Sequence, residues 1–112
     1  MATAQLDAVF SALADPTRRA LLAKLSEGDA SVTELAEPFA MSQPAISKHL
    51  KVLETAGLIS RHSIATSRYS HLEAAPLKEA TEYMEKYKRF WNTRFDKLDA
   101  ALAAYQEDTT DE

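Results

Sequence analysis

The sequence predicts a mainly helical fold with one small β-hairpin, in the order helix, helix, helix, helix, strand, strand, helix. Three observations predict it. Apolar residues recur at three- and four-residue spacing through residues 6–53 and again through 77–105, the period of helices with one buried face. Between them, residues 58–72 are rich in β-branched and aromatic side chains, which suits paired strands. The 112 residues also include only two glycines, Gly28 and Gly57, too few for a turn-rich all-β chain or a glycine-rich phosphate cradle.

Each element has its own signal. Leu6, Val9, Phe10 and Leu13 form the apolar side of a first helix. Asp15-Pro16 breaks it and starts the second, because aspartate suits an N-cap and proline costs nothing at the first helical position. The second helix covers about residues 16–26, with Leu21, Leu22 and Leu25 inward and Gly28 as its stop. Ser31 and Glu34 have capping-box spacing ahead of a third helix, whose apolar side is Val32, Leu35, Ala36 and Phe39 and which Pro38 shortens. Ser42 caps a fourth helix that tolerates Pro44 in its first turn and stops at Gly57. Strands on either side of Ala65-Thr66 make the hairpin, although that turn lacks the Gly, Asn or Asp that such turns favour. From 76 to about 106 the pattern reads as one long helix of roughly 45 Å. Residues 1–106 are thus expected to be one domain, and the acidic residues 107–112 a disordered tail.

Bulk composition narrows the function. Apolar residues make up 46% and charged residues 27%, as in an ordinary globular chain, and no apolar run is long enough for a membrane span. The N-terminal residues carry no basic segment followed by an apolar one, so a cytoplasmic location is expected. Cysteine is absent, which excludes disulfides, thiolate metal sites and catalytic thiols. Ser47 and His49 are the one serine–histidine constellation, and residues two apart on a helix do not face each other, so an enzyme is not expected.

Residues 41–59 are the most informative stretch. Ile46, Leu50 and Leu53 share one side of the fourth helix, while Gln43, Ser47, Lys48 and Lys51 lie away from them. Two short helices with a tight join, the second with hydrogen-bonding and cationic side chains outward, have the layout of a DNA-reading helix-turn-helix. A hairpin directly after it makes a winged helix. The net charge of −4 looks wrong for such a protein, but residues 41–71 carry four basic side chains against Glu54 alone.

The expected roles follow from position. Ser42, Gln43 and Pro44 open the helix, where residues reach base edges. Gln43 suits adenine, Ser47 suits any base, and Lys48 suits guanine or a phosphate. Lys51 is better placed for a phosphate, and Arg61 and Arg68 in the hairpin are candidates for backbone or minor-groove contact. His49 flanks the apolar side and is either a phosphate contact or a packing residue. Arg18 and Arg19, beside Asp15, have two readings, a DNA backbone contact or structural ion pairs at a helix start.

The long last helix carries more apolar surface than so small a domain can cover. Met84, Tyr87, Trp91, Leu98 and Tyr105 follow a helical stripe, with Phe95 and Leu102 beside it. A homodimer is expected, with Leu6, Phe10, Met84, Tyr87, Trp91, Phe95, Leu98 and Leu102 at its interface. Tyr83, Tyr87, Phe90 and Trp91 either belong to that dimer core or line a small-molecule site, and no inducer can be named.

Ser42-Gln43-Pro44-Ala45-Ile46-Ser47-Lys48-His49-Leu50-Lys51-Val52-Leu53 closely resembles the recognition helix of the ArsR-type winged-helix repressors. Asp15-Pro16-Thr17-Arg18-Arg19 resembles that family's second-helix motif, and Gly57-Leu58-Ile59 and Arg68-Tyr69 resemble the entry and exit of its wing. The resemblance implies a dimer built from the first and last helices that represses by occupying a double-stranded DNA operator. Two departures matter. Metal-sensing members carry cysteines in the third helix or Asp and His ligands on the last, whereas here the third helix lacks cysteine and the last lacks histidine. His49, His62 and His71 also lack metal-ligand spacing, so no metal and no cofactor are expected, as in the family's autorepressor-like branch. The wing tip is Ala65-Thr66 where the family usually has glycine with an arginine beside it. The competing expectation is an interaction module that keeps the scaffold and docks a partner on its C-terminal helix.

Overall fold

The computed structural model describes residues 3–110 of the chain. Its elements are α1 (Thr3–Leu13), α2 (Pro16–Leu25), β1 (Ala30–Ser31), α3 (Val32–Ala36), α4 (Gln43–Thr55), β2 (Ile59–Ile64), β3 (Ser67–Leu72) and α5 (Ala74–Thr110). The fold is the winged helix-turn-helix that the sequence predicts, with one strand more.

Local side-chain chemistry sets the helix boundaries. Asp15 Oδ2 accepts the Arg18 backbone N–H at 3.0 Å and Pro16 follows at the first helical position. At α3 the capping box is complete: the Glu34 N–H donates to Ser31 Oγ at 3.2 Å, and the Ser31 N–H donates to Glu34 Oε1 at 3.3 Å. Ser42 Oγ accepts the Ala45 N–H at 3.3 Å at the start of α4. The end of α4 is a Schellman motif: Leu58 N–H donates to Leu53 O at 2.9 Å and Gly57 N–H to Glu54 O at 3.0 Å. Gly57 supplies the left-handed φ of +81° that this closure needs.

The core lies under α4. Ile46, Leu50 and Leu53 are fully buried against Val9, Leu21 and Leu35 from the three preceding helices. Truncating one such leucine to alanine costs about 2–5 kcal/mol in comparable cores. The face that anchors α4 is therefore strongly specified, and the opposite face follows from it.

The sheet has three antiparallel strands in the order β1-β3-β2. The sequence predicts the hairpin alone. Strand β1 has two residues, pairs Ala30 with Ser70 and Ser31 with Tyr69, and offers no period to detect. In the hairpin, Ile64 pairs with Ser67, so Ala65-Thr66 is a two-residue turn. Ala65 takes φ of 55°, a left-handed conformation adopted without the usual glycine.

Helix α5 is unbroken for 37 residues, about 55 Å of helix. It passes 106, where the sequence reading ends it, so residues 107–110 have helical backbone rather than the expected disordered tail. Once a helix is nucleated, each added residue gains a hydrogen bond at little further cost, and composition alone does not stop it. Residues 111–112 lie outside the described residues. The chain divides into two compact units, one ending at Ala80 and the other beginning at Thr81. In the first unit Leu77 packs on the core and Ala80 is buried.

Candidate nucleic-acid interface

With Ile46, Leu50 and Leu53 inward, α4 leaves Gln43, Pro44, Lys48 and Lys51 exposed and Ser47 half-buried between them. Ser42, also exposed, is occupied as the cap. Gln43 Nε2 donates to Thr33 Oγ1 at 3.4 Å, which steers the first side chain of α4 from α3. Thr33 was not among the sequence candidates, because only the fold brings it to Gln43. Lys51 Nζ lies 3.3 Å from Glu54 Oε1, an exposed i,i+3 pair of little energetic weight.

His49 is the half-buried member of the set. Its Nδ1 lies 3.3 Å from Arg18 Nη1 and 3.8 Å from Asp15 Oδ2. Arg18 also donates from Nε to Ala12 O at 2.7 Å and from Nη2 to Ser11 O at 3.2 Å, and Arg19 Nη1 donates to Leu13 O at 2.8 Å. Both arginines thus satisfy the last carbonyls of α1, which have no partner within their own helix. Their role here is structural, but through these carbonyl bonds rather than the ion pairs with Asp15 that the sequence reading offers. The bond from the Arg18 backbone N–H holds the Asp15 carboxyl below its ordinary pKa; partial desolvation opposes the shift and the Arg18 charge assists it.

The wing separates its polar residues by face. Arg61 pairs with Ser70 and Ser63 with Arg68, so both arginines project from one face of the hairpin. Arg68 is exposed, while Arg61 is half-buried and its Nε, like Ser70 Oγ, is buried with no hydrogen-bond partner among the described residues. The other face carries Ser60, His62, Tyr69 and His71, and the His62 and Tyr69 rings stack at 5.9 Å. Asp29, just before β1, bonds His71 Nδ1 through Oδ1 at 2.7 Å and approaches His62 Nε2 through Oδ2 at 3.8 Å. That bond raises the His71 pKa above its ordinary value, and the charges of Asp29 and Glu73 add to it against partial desolvation. The sequence separates Asp29 from His71 by 42 residues and gives no sign that they meet.

Of the expected interface residues, Leu6 and Phe10 on α1 are half-buried beside the core. On α5 beyond Ala80, Met84, Tyr87, Trp91, Phe95, Leu98 and Leu102 are all exposed. The Trp91 and Phe95 rings stack at 5.8 Å, Phe90 meets Trp91 edge-on at 5.6 Å, and the Arg94 guanidinium lies 4.2 Å over Phe90. Among the described residues no group of three or more His, Asp or Glu is arranged to hold a metal ion, and no helix is long and apolar enough to cross a membrane.

Comparison with known proteins supplies a context for this geometry. The sequence pattern of the family described as "Bacterial regulatory protein, arsR family" matches residues 15–61, which include all of α2, α3 and α4. The HTH-type transcriptional regulator Rv2034 of Mycobacterium tuberculosis is 40% identical over 85 residues, 76% of this chain and 77% of that protein. The transcriptional repressor SdpR of Bacillus subtilis is 40% identical over 76 residues, 68% of this chain and 84% of that one. Among solved structures, the ArsR family transcriptional regulator RHA00566 superposes with a TM-score of 0.76 at 39% identity, covering 82% of this chain and 95% of its own.

Proposed function

Because this chain belongs to the arsR family of bacterial regulatory proteins, we propose that it is a transcriptional repressor that binds an inverted-repeat operator as a homodimer. Helix α4 enters the major groove, Gln43, Ser47 and Lys48 meet base edges, and Lys51 meets a phosphate. Ser42 and Pro44 set the entry of that helix. Arg68 contacts the DNA backbone, with Arg61 behind it on the same face of the wing. The observation that carries this reading is α4 itself, with three fully buried apolar residues fixing one face and hydrogen-bonding and cationic side chains on the other. The net charge of −4 does not oppose it, since residues 41–71 are locally basic.

The domain that binds DNA spans residues 1–106 and supplies its own dimer interface from α1 and α5. The support is the row of exposed aromatic and aliphatic side chains on α5, since contiguous apolar surface of this kind marks interaction sites. Release from DNA needs no metal, a reading supported by the absence of cysteine and of histidine on α5. The protein acts in the cytoplasm.

Fluorescence anisotropy with duplexes from the protein's own upstream region tests the central claim. One fragment is expected to outcompete bulk DNA, with affinity that falls steeply as salt rises. If no fragment outcompetes bulk DNA, the repressor reading fails. Sedimentation of the wild type and of Trp91→Glu tests the dimer, which the charged variant is expected to weaken. Bound complex that dissociates on addition of zinc or nickel would overturn the metal-independent reading. Regulation in cells that survives Ser47→Ala with Lys48→Ala would favour the alternative, a partner docked on α5.

A further inference from the structure

Arg18 reaches two helices at once, and its chemistry constrains a third residue. A guanidinium only donates hydrogen bonds and does not lose its proton in a protein. Here Nε and Nη2 are spent on the Ala12 and Ser11 carbonyls at the end of α1, and Nη1 points to His49 Nδ1 at 3.3 Å. Nδ1 is therefore the acceptor in that contact, and a neutral imidazole that accepts at Nδ1 carries its proton on Nε2. Asp15 is the other charged group beside the ring. Its Oδ2 is 3.8 Å from Nδ1, beyond hydrogen-bond reach, and already accepts the Arg18 N–H at 3.0 Å. Nε2 has no hydrogen-bond partner among the described residues, and the His49 side chain keeps 20% of its surface exposed.

We propose that Arg18 is a positioning residue for DNA binding: it holds His49 as the Nε2–H tautomer, so that α4 presents a neutral donor to a phosphate oxygen and is tied to the end of α1. The role rests on the DNA reading proposed above and resolves its open member. Lys48 and Lys51 supply charge on the same helix, while His49 supplies a direction, because an N–H on a half-buried ring has one orientation and a lysine ammonium has many. A phosphate contact carries no sequence information, so it strengthens cognate and random DNA alike.

Two measurements test this. Long-range proton–nitrogen NMR of the free protein near pH 8, where an ordinary imidazole is neutral, reads the tautomer directly. The wild type is expected to show His49 protonated at Nε2, and Arg18→Lys a mixture of tautomers. An Nδ1–H tautomer in the wild type overturns the proposal. The second measurement compares His49→Asn, which keeps an acceptor near the Nδ1 position but has nothing at Nε2, with His49→Gln, which restores an N–H donor there. His49→Asn is expected to bind both the selected fragment and a random duplex about tenfold more weakly, with most of the loss recovered in His49→Gln. Equal affinity in the wild type and His49→Asn overturns this role alone, as does a loss confined to the selected fragment. A wild type that binds no fragment above bulk DNA overturns the DNA reading and this role together.

Discussion

Asp29 Oδ1 and His71 Nδ1 lie 2.7 Å apart, joining the turn before β1 to the last strand of the wing. This bond, helped by the charges of Asp29 and Glu73, raises the His71 pKa above the ordinary 6.5. A group whose pKa is higher in the folded state stabilises that state while protonated. The contribution is complete below the unfolded pKa and is lost as pH rises through the raised folded one. Proton NMR is expected to give His71 a titration midpoint above 6.5, returning toward it in Asp29→Asn. Thermal unfolding of the wild type should fall relative to Asp29→Asn across that same window. Parallel curves for the two proteins would remove the bond from the stability of the wing.

The wing tip carries a different kind of tension. Ala65 holds φ of 55° in a two-residue turn. The left-handed conformation costs an L-residue roughly 1–2 kcal/mol, and glycine removes that cost while adding unfolded-state entropy. Ala65→Gly is expected to stabilise the protein by about 0.5–1 kcal/mol. The urea midpoint should rise with an unchanged slope. A lower midpoint would mean that the turn relaxes elsewhere.

Gly57 is the opposite case, a left-handed position already filled by glycine. A Cβ there would meet Gln5 Nε2 at 3.3 Å, the end of a flexible side chain that can yield, and Pro76 Cγ at 3.8 Å, an ordinary contact. The penalty therefore comes from the φ of +81° rather than from collision. Gly57→Ala is expected to cost about 1–2 kcal/mol, and Gly57→Asn less, because asparagine tolerates this region better. Equal losses for the two, measured by denaturant unfolding, would assign the cost to packing.

What was legible in the sequence follows from how local each cause is. The caps at Asp15, Ser31 and Ser42 and the stop at Gly57 act within three or four residues, and all four stand where their spacing places them. The buried face of α4 was equally readable, since a helical period states it. Strand β1 was not, because its two residues acquire their meaning from Tyr69 and Ser70 far along the chain. Likewise the contact of Arg18 with His49 spans 31 residues and that of Gln43 with Thr33 joins two helices. Each of these side chains has ordinary surface chemistry until the fold supplies its neighbour. The turn at Ala65 shows the reverse: local preference argued against it, and the pairing of β2 with β3 over six residue pairs outweighs that preference.

Lys51 and Gln43 separate the two kinds of DNA contact that α4 is proposed to make. Lys51 extends from the middle of the helix with 71% of its side chain exposed, and its proposed partner is a phosphate on whichever sequence is bound. Lys51→Gln is expected to weaken binding to all duplexes by a similar factor and to reduce the slope of log affinity against log salt by about one. Glu54, 3.3 Å from the same ammonium, would compete with that phosphate, and Glu54→Gln should move affinity the other way. Gln43 stands in the first turn, held by Thr33. Its loss in Gln43→Ala should cost about 1–3 kcal/mol on the selected fragment and little on random DNA, leaving the salt slope unchanged. Anisotropy titrations at several salt concentrations distinguish these outcomes. A salt-slope change in Gln43→Ala, or a sequence-dependent loss in Lys51→Gln, would reverse the assignment of the two residues.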